Sequence, residues 1–250
     1  KARDRLIFEE LLALQLGLLK LKGRRKVRTK AVLKTDHTDA FLKLLPFKPT
    51  GAQERAMREC CADMASGYPT NRLLQGAVGS GKTALAAGII YTAVKNGYQC
   101  ALMAPTEILA AQHAETLLEM LGNAGIKTDL LTGSTSKKEK RRIKEALIDG
   151  ETDLVIGTHA LIQNDVECKT LGLVITDEQH RFGVNQRANL AMKGEEVHTL
   201  VMSATPIPRT LALMIYGDLD ISVLDELPPG RQTVRTDVVD SRYHKRIYTF

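Results

Sequence analysis

The sequence predicts an α/β fold in which helices cover both faces of a parallel sheet. Apolar strand-like segments recur along the chain, and helical patterns such as 107–121 and 136–150 lie between most of them. Repeated strand–helix–strand order indicates parallel pairing, because each helix returns the chain to the same end of the sheet. The seven predicted strands are 72–76, 98–104, 127–131, 153–157, 171–176, 198–204 and 220–224.

Composition sets the class of protein. A chain of 250 residues that is 44% hydrophobic can bury one large domain, or one domain with an extension. Its apolar runs are too short to cross a membrane, and residues 1–10 lack the apolar region of a secretory signal. Cysteines 60, 61, 100 and 168 form no C-x-x-C pair, which favours reduced thiols in a cytoplasmic protein.

The N-terminal region is predicted to be a helix followed by a basic linker. Residues 1–34 contain eleven Lys and Arg against three acids, whereas the whole chain carries a net charge of +6. Such a cluster suits phosphate backbones, although a solvated linker face explains it equally well. A single apolar stripe predicts a helix that packs on a neighbouring domain. The stripe consists of Ile7, Leu11, Leu14, Leu18 and Leu21.

Residues 76–83, "GAVGSGKT", fit the pattern G-x-x-x-x-G-K-[ST] directly after the first strand of the main domain. Glycines allow successive backbone N–H groups to point into one concavity that holds phosphate oxygens. Lys82 adds a positive charge for the β and γ phosphates, and the Thr83 hydroxyl can ligate Mg²⁺. The helical segment that follows completes the strand–loop–helix context of a phosphate loop.

Two adjacent acids, Asp177 and Glu178, end the apolar segment 171–176. Carboxylates at the end of a buried strand need a cation, and ligands of parallel sheets collect at the carboxyl ends of the strands. In a phosphate-loop enzyme, Asp177 would hold Mg²⁺ and Glu178 would act as general base toward the attacking water. A helix dipole alone would favour two acids there by only ~0.3–1 kcal/mol.

Further motifs extend this pattern. They are "APTEILAAQH" (104–113), "LLTGS" (130–134), "GTHALIQ" (157–163), "DEQHRFGVNQR" (177–187), "SATPIPRT" (203–210) and "GDLDISVLDELPPGR" (217–231). With them the chain resembles superfamily 2 helicases, in particular the RecG-type branch-migration helicases, over essentially its whole length. The related transcription-repair coupling translocases carry DEEH where this chain has "DEQH", so Gln179 favours the RecG type.

The resemblance implies a RecA-like lobe that uses ATP and Mg²⁺, and it implies residue roles. Gln53 resembles the adenine-reading glutamine of the family. Catalysis is assigned to Lys82, Asp177 and Glu178, and the metal to Thr83 and Asp177. The phosphates are assigned to Gly76, Gly79, Ser80, Gly81, Lys82 and Thr83. The coupling between the state of the nucleotide and the binding of DNA is assigned to Gln179, His180, Ser203 and Thr205.

The same resemblance implies contacts with double-stranded or branched DNA. Hydroxyls and backbone N–H groups at helix starts suit phosphate oxygens and carry no base information. The candidate contacts are Pro105, Thr106, Gly133, Ser134, Thr158, His159, Arg181 and Arg187. Each of the two arginines fits a structural ion pair equally well, and "KKEKRR" (137–142) is more typical of a solvated helix face.

The expected whole protein is a monomeric, nucleoid-associated cytoplasmic motor that reverses stalled forks and migrates Holliday junctions. We divide the chain into an extension (1–45), the first motor lobe (46–228) and the start of a linker (229–250). A wedge domain and a second lobe with arginine fingers would lie outside it, so the chain alone should hydrolyse ATP slowly. Ala77 stands where the family usually has Asp, and Thr176 replaces an aliphatic residue.

Three alternatives remain at this point. A phosphate-loop kinase or small-molecule NTPase would leave "SATPIPRT" and "GTHALIQ" without a role. A DNA-binding module whose nucleotide site is only structural would not need Glu178. A duplex-DNA translocase without preference for forks would share the whole pattern.

Overall fold

The computed structural model describes residues 2–24, 28–163, 165–177, 197–205, 220–226 and 228. Six α-helices lie in these ranges: α1 (Ala2–Arg24), α2 (Thr38–Leu42), α3 (Gly51–Ala65), α4 (Lys82–Lys95), α5 (Glu107–Leu121) and α6 (Lys137–Asp149), with two short 3-10 helices at Gly122–Ala124 and His159–Ile162. The strands are β1 (Asn71–Gly76), β2 (Gln99–Met103), β3 (Thr128–Leu131), β4 (Leu154–Gly157), β5 (Leu171–Asp177), β6 (His198–Ser203) and β7 (Asp220–Leu224). All seven predicted strands are present.

The strands form one sheet in the order β3-β4-β2-β5-β6-β1-β7, and every pair is parallel. Successive residues of a strand face opposite sides, so Leu102 lies in the core beneath α3, α4 and α5, whereas Met103 packs with Ile143 and Leu147 of α6. Helices therefore cover both faces, which confirms the predicted α/β fold.

Helix α4 is the central helix of the larger core. Ten consecutive residues, from Ala84 to Ala93, are buried because α2, α3 and α5 all pack around it. A helix that is apolar on every side can be stable only in such an interior position. Its first residue, Lys82, is fixed at the carboxyl edge of the sheet directly after the loop that leaves β1.

A buried arginine joins α3 to the edge of the sheet. Arg72 on β1 donates from Nε to Asp63 at 2.7 Å and from Nη1 to Glu59 at 3.1 Å, both on α3. The same Nη1 donates to the Ser222 hydroxyl of β7 at 2.7 Å. This network fixes the helix that carries Gln53 relative to two strands, because the planar guanidinium holds its partners in fixed directions.

The basic linker continues into a segment, residues 29–35, that lies across the amino-terminal edge of the sheet. The Tyr98 hydroxyl lies 3.1 and 3.2 Å from the carbonyl oxygens of Lys30 and Val32. The backbone N–H groups of Lys34 and Thr35 donate to the Asn96 side chain at 2.8 and 3.1 Å. The predicted division of the chain into 1–45, 46–228 and 229–250 remains a prediction.

Helix α1 is confirmed as a helix, and its exposed apolar residues include Ile7 and Leu11 of the predicted stripe. The packing of this stripe on a neighbouring domain stays a prediction. Within the described part of the chain, none of the helices has the length and apolar character needed to cross a membrane.

His198, the first residue of β6, holds the 29–35 segment against the sheet and is only 1% exposed. Its Nε2 lies 2.5 Å from the Ala31 carbonyl oxygen, so Nε2 carries the hydrogen and donates it. Its Nδ1 then accepts the Thr70 N–H at 3.1 Å. Burial lowers the pKa of His198 from its ordinary value of 6.5, because the charged ring would lose its hydration.

We therefore expect stability to fall at acid pH. Because the pKa of His198 is lower in the folded state, the unfolded state binds more protons, and the free energy of unfolding should decrease as the pH drops below about 6.5. Urea unfolding between pH 5 and 8 measures this. His198→Gln retains a donor but does not titrate, so its unfolding free energy should depend less on pH; an unchanged pH dependence would contradict the assignment.

Candidate nucleotide and magnesium site

The phosphate-loop motif forms the connection between β1 and α4. Gly79 and Gly81 have φ angles of 79° and 85°, in the left-handed region that favours glycine. The Ser80 N–H donates to the Ala77 carbonyl at 3.0 Å, which closes the turn. As a result, α4 begins directly after the loop, and the N-terminus of a helix is suited to phosphate oxygens.

Lys82 lies over this loop. Its Nζ donates to the carbonyl oxygens of Gly76 at 2.7 Å and Ala77 at 3.1 Å. The ammonium group is thus held at the loop, where it can meet the charge of a phosphate. Thr83 follows in the first turn of α4 and is half-buried.

Gln53 is tied to the phosphate loop. Its Oε1 accepts the Thr50 N–H at 2.9 Å within the N-terminal capping box of α3, and its Nε2 donates to the Ser80 carbonyl at 2.7 Å. The residue is 3% exposed. Each amide atom has capacity for one further hydrogen bond, so adenine recognition by Gln53 stays a prediction.

Asp177 is placed at the same edge as the loop. It is the last residue of β5 and lies opposite Met202 of β6, while the next residue of β6, Ser203, lies opposite Gln75 of β1. One strand separates β1 from β5, a spacing of about 10 Å. The ends of β1, β6 and β5 therefore lie side by side.

The residues at this edge fit a magnesium nucleotide by their chemistry. The Thr83 hydroxyl and the Asp177 carboxylate are hard oxygen ligands, which Mg²⁺ prefers. A Cβ on Gly81 would lie 2.1 Å from Gln53 Nε2, so the backbone of the loop must approach that side chain closely. The assignment of these residues to metal and phosphate remains a proposal.

The predicted coupling residues are only partly described. Ser203 and Thr205 form a turn at the end of β6, with their hydroxyl oxygens 2.9 Å apart and the Thr205 N–H donating to Ser203 Oγ at 3.2 Å. This turn lies between the phosphate loop and Asp177. Glu178, Gln179 and His180 lie outside the described residues.

The candidate DNA contacts follow the strands of the other half of the sheet. Thr106 caps α5 after β2, and its side chain accepts the Leu109 N–H at 3.3 Å. Gly133 and Ser134 follow β3 and are exposed. His159 follows β4 and is exposed as well. Because β2, β3 and β4 are parallel, the turns that follow them lie together at the carboxyl edge of the sheet.

The other predicted DNA residues are less accessible or are not described. Pro105 is half-buried beside Thr106, and Thr158 is buried under the turn that exposes His159. Arg181 and Arg187 lie outside the described residues, so their assignment stays a prediction.

Two residues at this edge were not predicted. The Glu107 carboxylate accepts the Ser134 N–H at 3.1 Å and joins the turns after β2 and β3; hydrogen bonds from Ser134 lower the pKa of this acid. His113 Nε2 on α5 lies 2.8 Å from Asp177 Oδ2. Both residues occur in segment 104–113, but the motif gives no sign of these long-range partners.

Comparison with protein families agrees with this geometry. The sequence profile described as DEAD/DEAH box helicase matches residues 50–214. The chain is 51% identical to the ATP-dependent DNA helicase RecG of Thermotoga maritima and 48% identical to that of Bacillus subtilis, each over 252 aligned residues. Both alignments cover 100% of this chain, but only 32% and 37% of those proteins. The chain thus spans about a third of the length of the curated relatives it matches.

Solved structures give the same result. A structure of RecG bound to a three-way DNA junction matches 99% of this chain and 34% of its own chain, with a TM-score of 0.86 and 49% identity. The UvsW helicase of bacteriophage T4 matches 78% of this chain and 69% of its own, with a TM-score of 0.56 at 17% identity, which shows a shared fold alone. The predicted resemblance to RecG-type helicases is confirmed.

Gly81→Ala should weaken nucleotide binding. The new Cβ would displace Gln53 and would also force an L-residue into the left-handed region, so we expect affinity for a fluorescent ADP analogue to fall at least about tenfold, or about 1.4 kcal/mol. Gly67→Ala is the matched control. Gly67 has φ 82°, and a Cβ added there would meet no atom within 4 Å, so this variant should lose only roughly 1–2 kcal/mol of stability. Equal nucleotide affinity in both variants would contradict the role of Gly81.

Proposed function

Because this chain belongs to the DEAD/DEAH box helicase family, we propose that it is the nucleotide-binding lobe of a motor that hydrolyses ATP to remodel branched DNA. The observation that carries the proposal is the carboxyl edge of the sheet. The phosphate loop and Asp177 occupy one half of this edge, and the candidate DNA-contact turns occupy the other half.

In this proposal the nucleotide half binds ATP through its backbone and Lys82. The N–H groups at the start of α4 donate to the phosphate oxygens, and Lys82 Nζ moves from the Gly76 and Ala77 carbonyls to the β and γ phosphates. Thr83 and Asp177 would hold Mg²⁺, which neutralises phosphate charge when bound. Glu178, next in the chain, takes a proton from the attacking water.

The other half of the edge grips the DNA backbone. The hydroxyl groups of Thr106 and Ser134 and the imidazole of His159 belong to exposed residues and are suited to phosphate oxygens, so these contacts would position the lobe without reading sequence. Arg181 and Arg187 would add positive charge. A small-molecule kinase with the same fold would have no use for these turns.

Coupling between the two halves is assigned to the turn at the end of β6. Ser203 and Thr205 lie beside both Asp177 and the phosphate loop, so a change in the nucleotide can alter this turn directly. Gln179 and His180 are proposed to act with it. Gln53 would link adenine binding to the phosphate loop through its hydrogen bond to the Ser80 carbonyl.

The whole protein would carry further parts. RecG relatives are about three times as long, which supports a wedge domain and a second motor lobe as partners of this lobe. The RecG structure bound to a three-way junction supports forks and Holliday junctions as substrates. We further propose a monomer that works on nucleoid DNA in the cytoplasm.

Lys82→Ala and Asp177→Asn should each reduce fork-stimulated ATP hydrolysis of the full-length protein by roughly 10²–10³-fold, because each removes one charged group of a preorganised site. A phosphate-release assay measures this rate, and fork unwinding should disappear with it. Lys95→Ala, at the opposite end of α4, should stay near the parent rate.

If Lys82→Ala still hydrolysed ATP at the parent rate, this loop would not be the catalytic site and the proposal would fail. If the parent protein bound forks but neither it nor the variant hydrolysed ATP, the protein would be a DNA-binding module whose nucleotide site is only structural. Glu178→Gln gives an independent test of the same point, since it changes the proposed base and leaves the phosphate loop intact.

A further inference from the structure

His113 and Asp177 form a partly buried polar pair. His113 Nε2 lies 2.8 Å from Asp177 Oδ2, and the two side chains are 12% and 14% exposed. A carboxylate accepts hydrogen bonds and donates none when it is ionised, so Nε2 must carry the hydrogen. A charge-assisted hydrogen bond of this kind, shielded from water, fixes the direction of the carboxylate.

The pair divides the two oxygens of Asp177 between different tasks. Oδ2 accepts the hydrogen bond from His113, so a cation or its water ligands would bind through Oδ1. Groups that donate a hydrogen bond to a metal-binding carboxylate set its orientation, and their loss typically weakens metal binding. His113 is suited to this task because its ring is rigid and projects from a long, well-anchored helix.

The helix that carries His113 also begins at the candidate DNA contacts. Thr106 caps α5, and Glu107 in its first turn accepts the Ser134 N–H. His113 follows seven residues after Thr106, about 10 Å along the helix. One rigid element therefore contacts the DNA half of the edge at its start and Asp177 two turns later.

We propose that His113 is a positioning residue that orients Asp177 for Mg²⁺ and joins the metal site to the DNA-contacting end of α5. This inference rests on the proposed function, because it needs Asp177 to act toward Mg²⁺. A purely structural role would make His113 a space-filling ring on α5. The two roles differ in whether the donor or the bulk of the side chain matters.

The test uses the full-length protein and a fluorescent ADP analogue, whose binding is followed by anisotropy while Mg²⁺ is titrated. In His113→Leu the Mg²⁺ concentration at half-maximal binding should rise roughly 10-fold or more, the usual effect of losing such a supporting group. His113→Gln places an amide donor near the position of Nε2 and should stay within about twofold of the parent. Binding in the presence of a chelator should be equal in all variants.

His113→Asn provides a second loss of the contact, since its amide is too short to reach Asp177, and it serves if the leucine variant unfolds. The ratio of ATP hydrolysis with and without fork DNA, at saturating Mg²⁺, should fall in the leucine and asparagine variants and recover with glutamine. This ratio reports the connection through α5.

Two results would overturn the proposal. The first is a parent-like Mg²⁺ midpoint in His113→Leu and His113→Asn while Asp177→Asn shifts it. The second is an equal shift in the leucine and glutamine variants, which would mean that only the ring's packing matters. In both cases the proposed function stands. It fails separately if Lys82→Ala and Asp177→Asn leave hydrolysis intact.

Discussion

The parallel direction of the seven strands is the constraint on which the rest of the structure depends. Since every described strand runs the same way, all of their carboxyl ends emerge at one edge of the sheet. The crossover order then divides that edge: β1, β6 and β5 end at the half proposed to bind the nucleotide, and β2, β4 and β3 end at the half proposed to contact DNA. The halves meet where β2 pairs with β5. Helix α5 starts after β2 and packs over β3 and β4, and its His113 side chain reaches Asp177 at the end of β5, which explains how it contacts both halves.

The carboxyl edge is supported by a buried helix and a buried arginine. Helix α4 is enclosed by three other helices, and Arg72 fixes α3 to β1 and β7 through three polar partners. Gln53 of α3 in turn holds the phosphate loop by donating a hydrogen bond to the Ser80 carbonyl. The loop itself needs Gly81, where a side chain would strike Gln53. A chemical site that must hold small groups to within fractions of an ångström gains from such layered support.

Sequence reasoning reached the elements whose signal is local. Runs of apolar residues located all seven strands, and the spacing of glycines, Lys82 and Thr83 located the phosphate loop between β1 and α4. Long-range polar contacts left no such signal. The bond between His113 and Asp177 joins residues 64 positions apart, and that between Gln53 and Ser80 joins residues 27 apart. In the sequence, His113 is simply one polar residue of an amphipathic helix, and only folding gives it a partner.

The 29–35 segment shows a different kind of attachment, at the edge of the sheet opposite the proposed nucleotide site. It is held through its own backbone: carbonyls of Lys30, Ala31 and Val32 and N–H groups of Lys34 and Thr35 meet side chains of the lobe. The side chains of Thr29, Ala31 and Leu33 are buried as well, and Leu33 is part of the main core, so the attachment combines backbone hydrogen bonds with apolar packing. A load transmitted along the chain from α1 would be shared among these contacts. They lie at the opposite edge of the sheet from the proposed nucleotide site, so tension on the N-terminal extension would reach the sheet far from the phosphate loop.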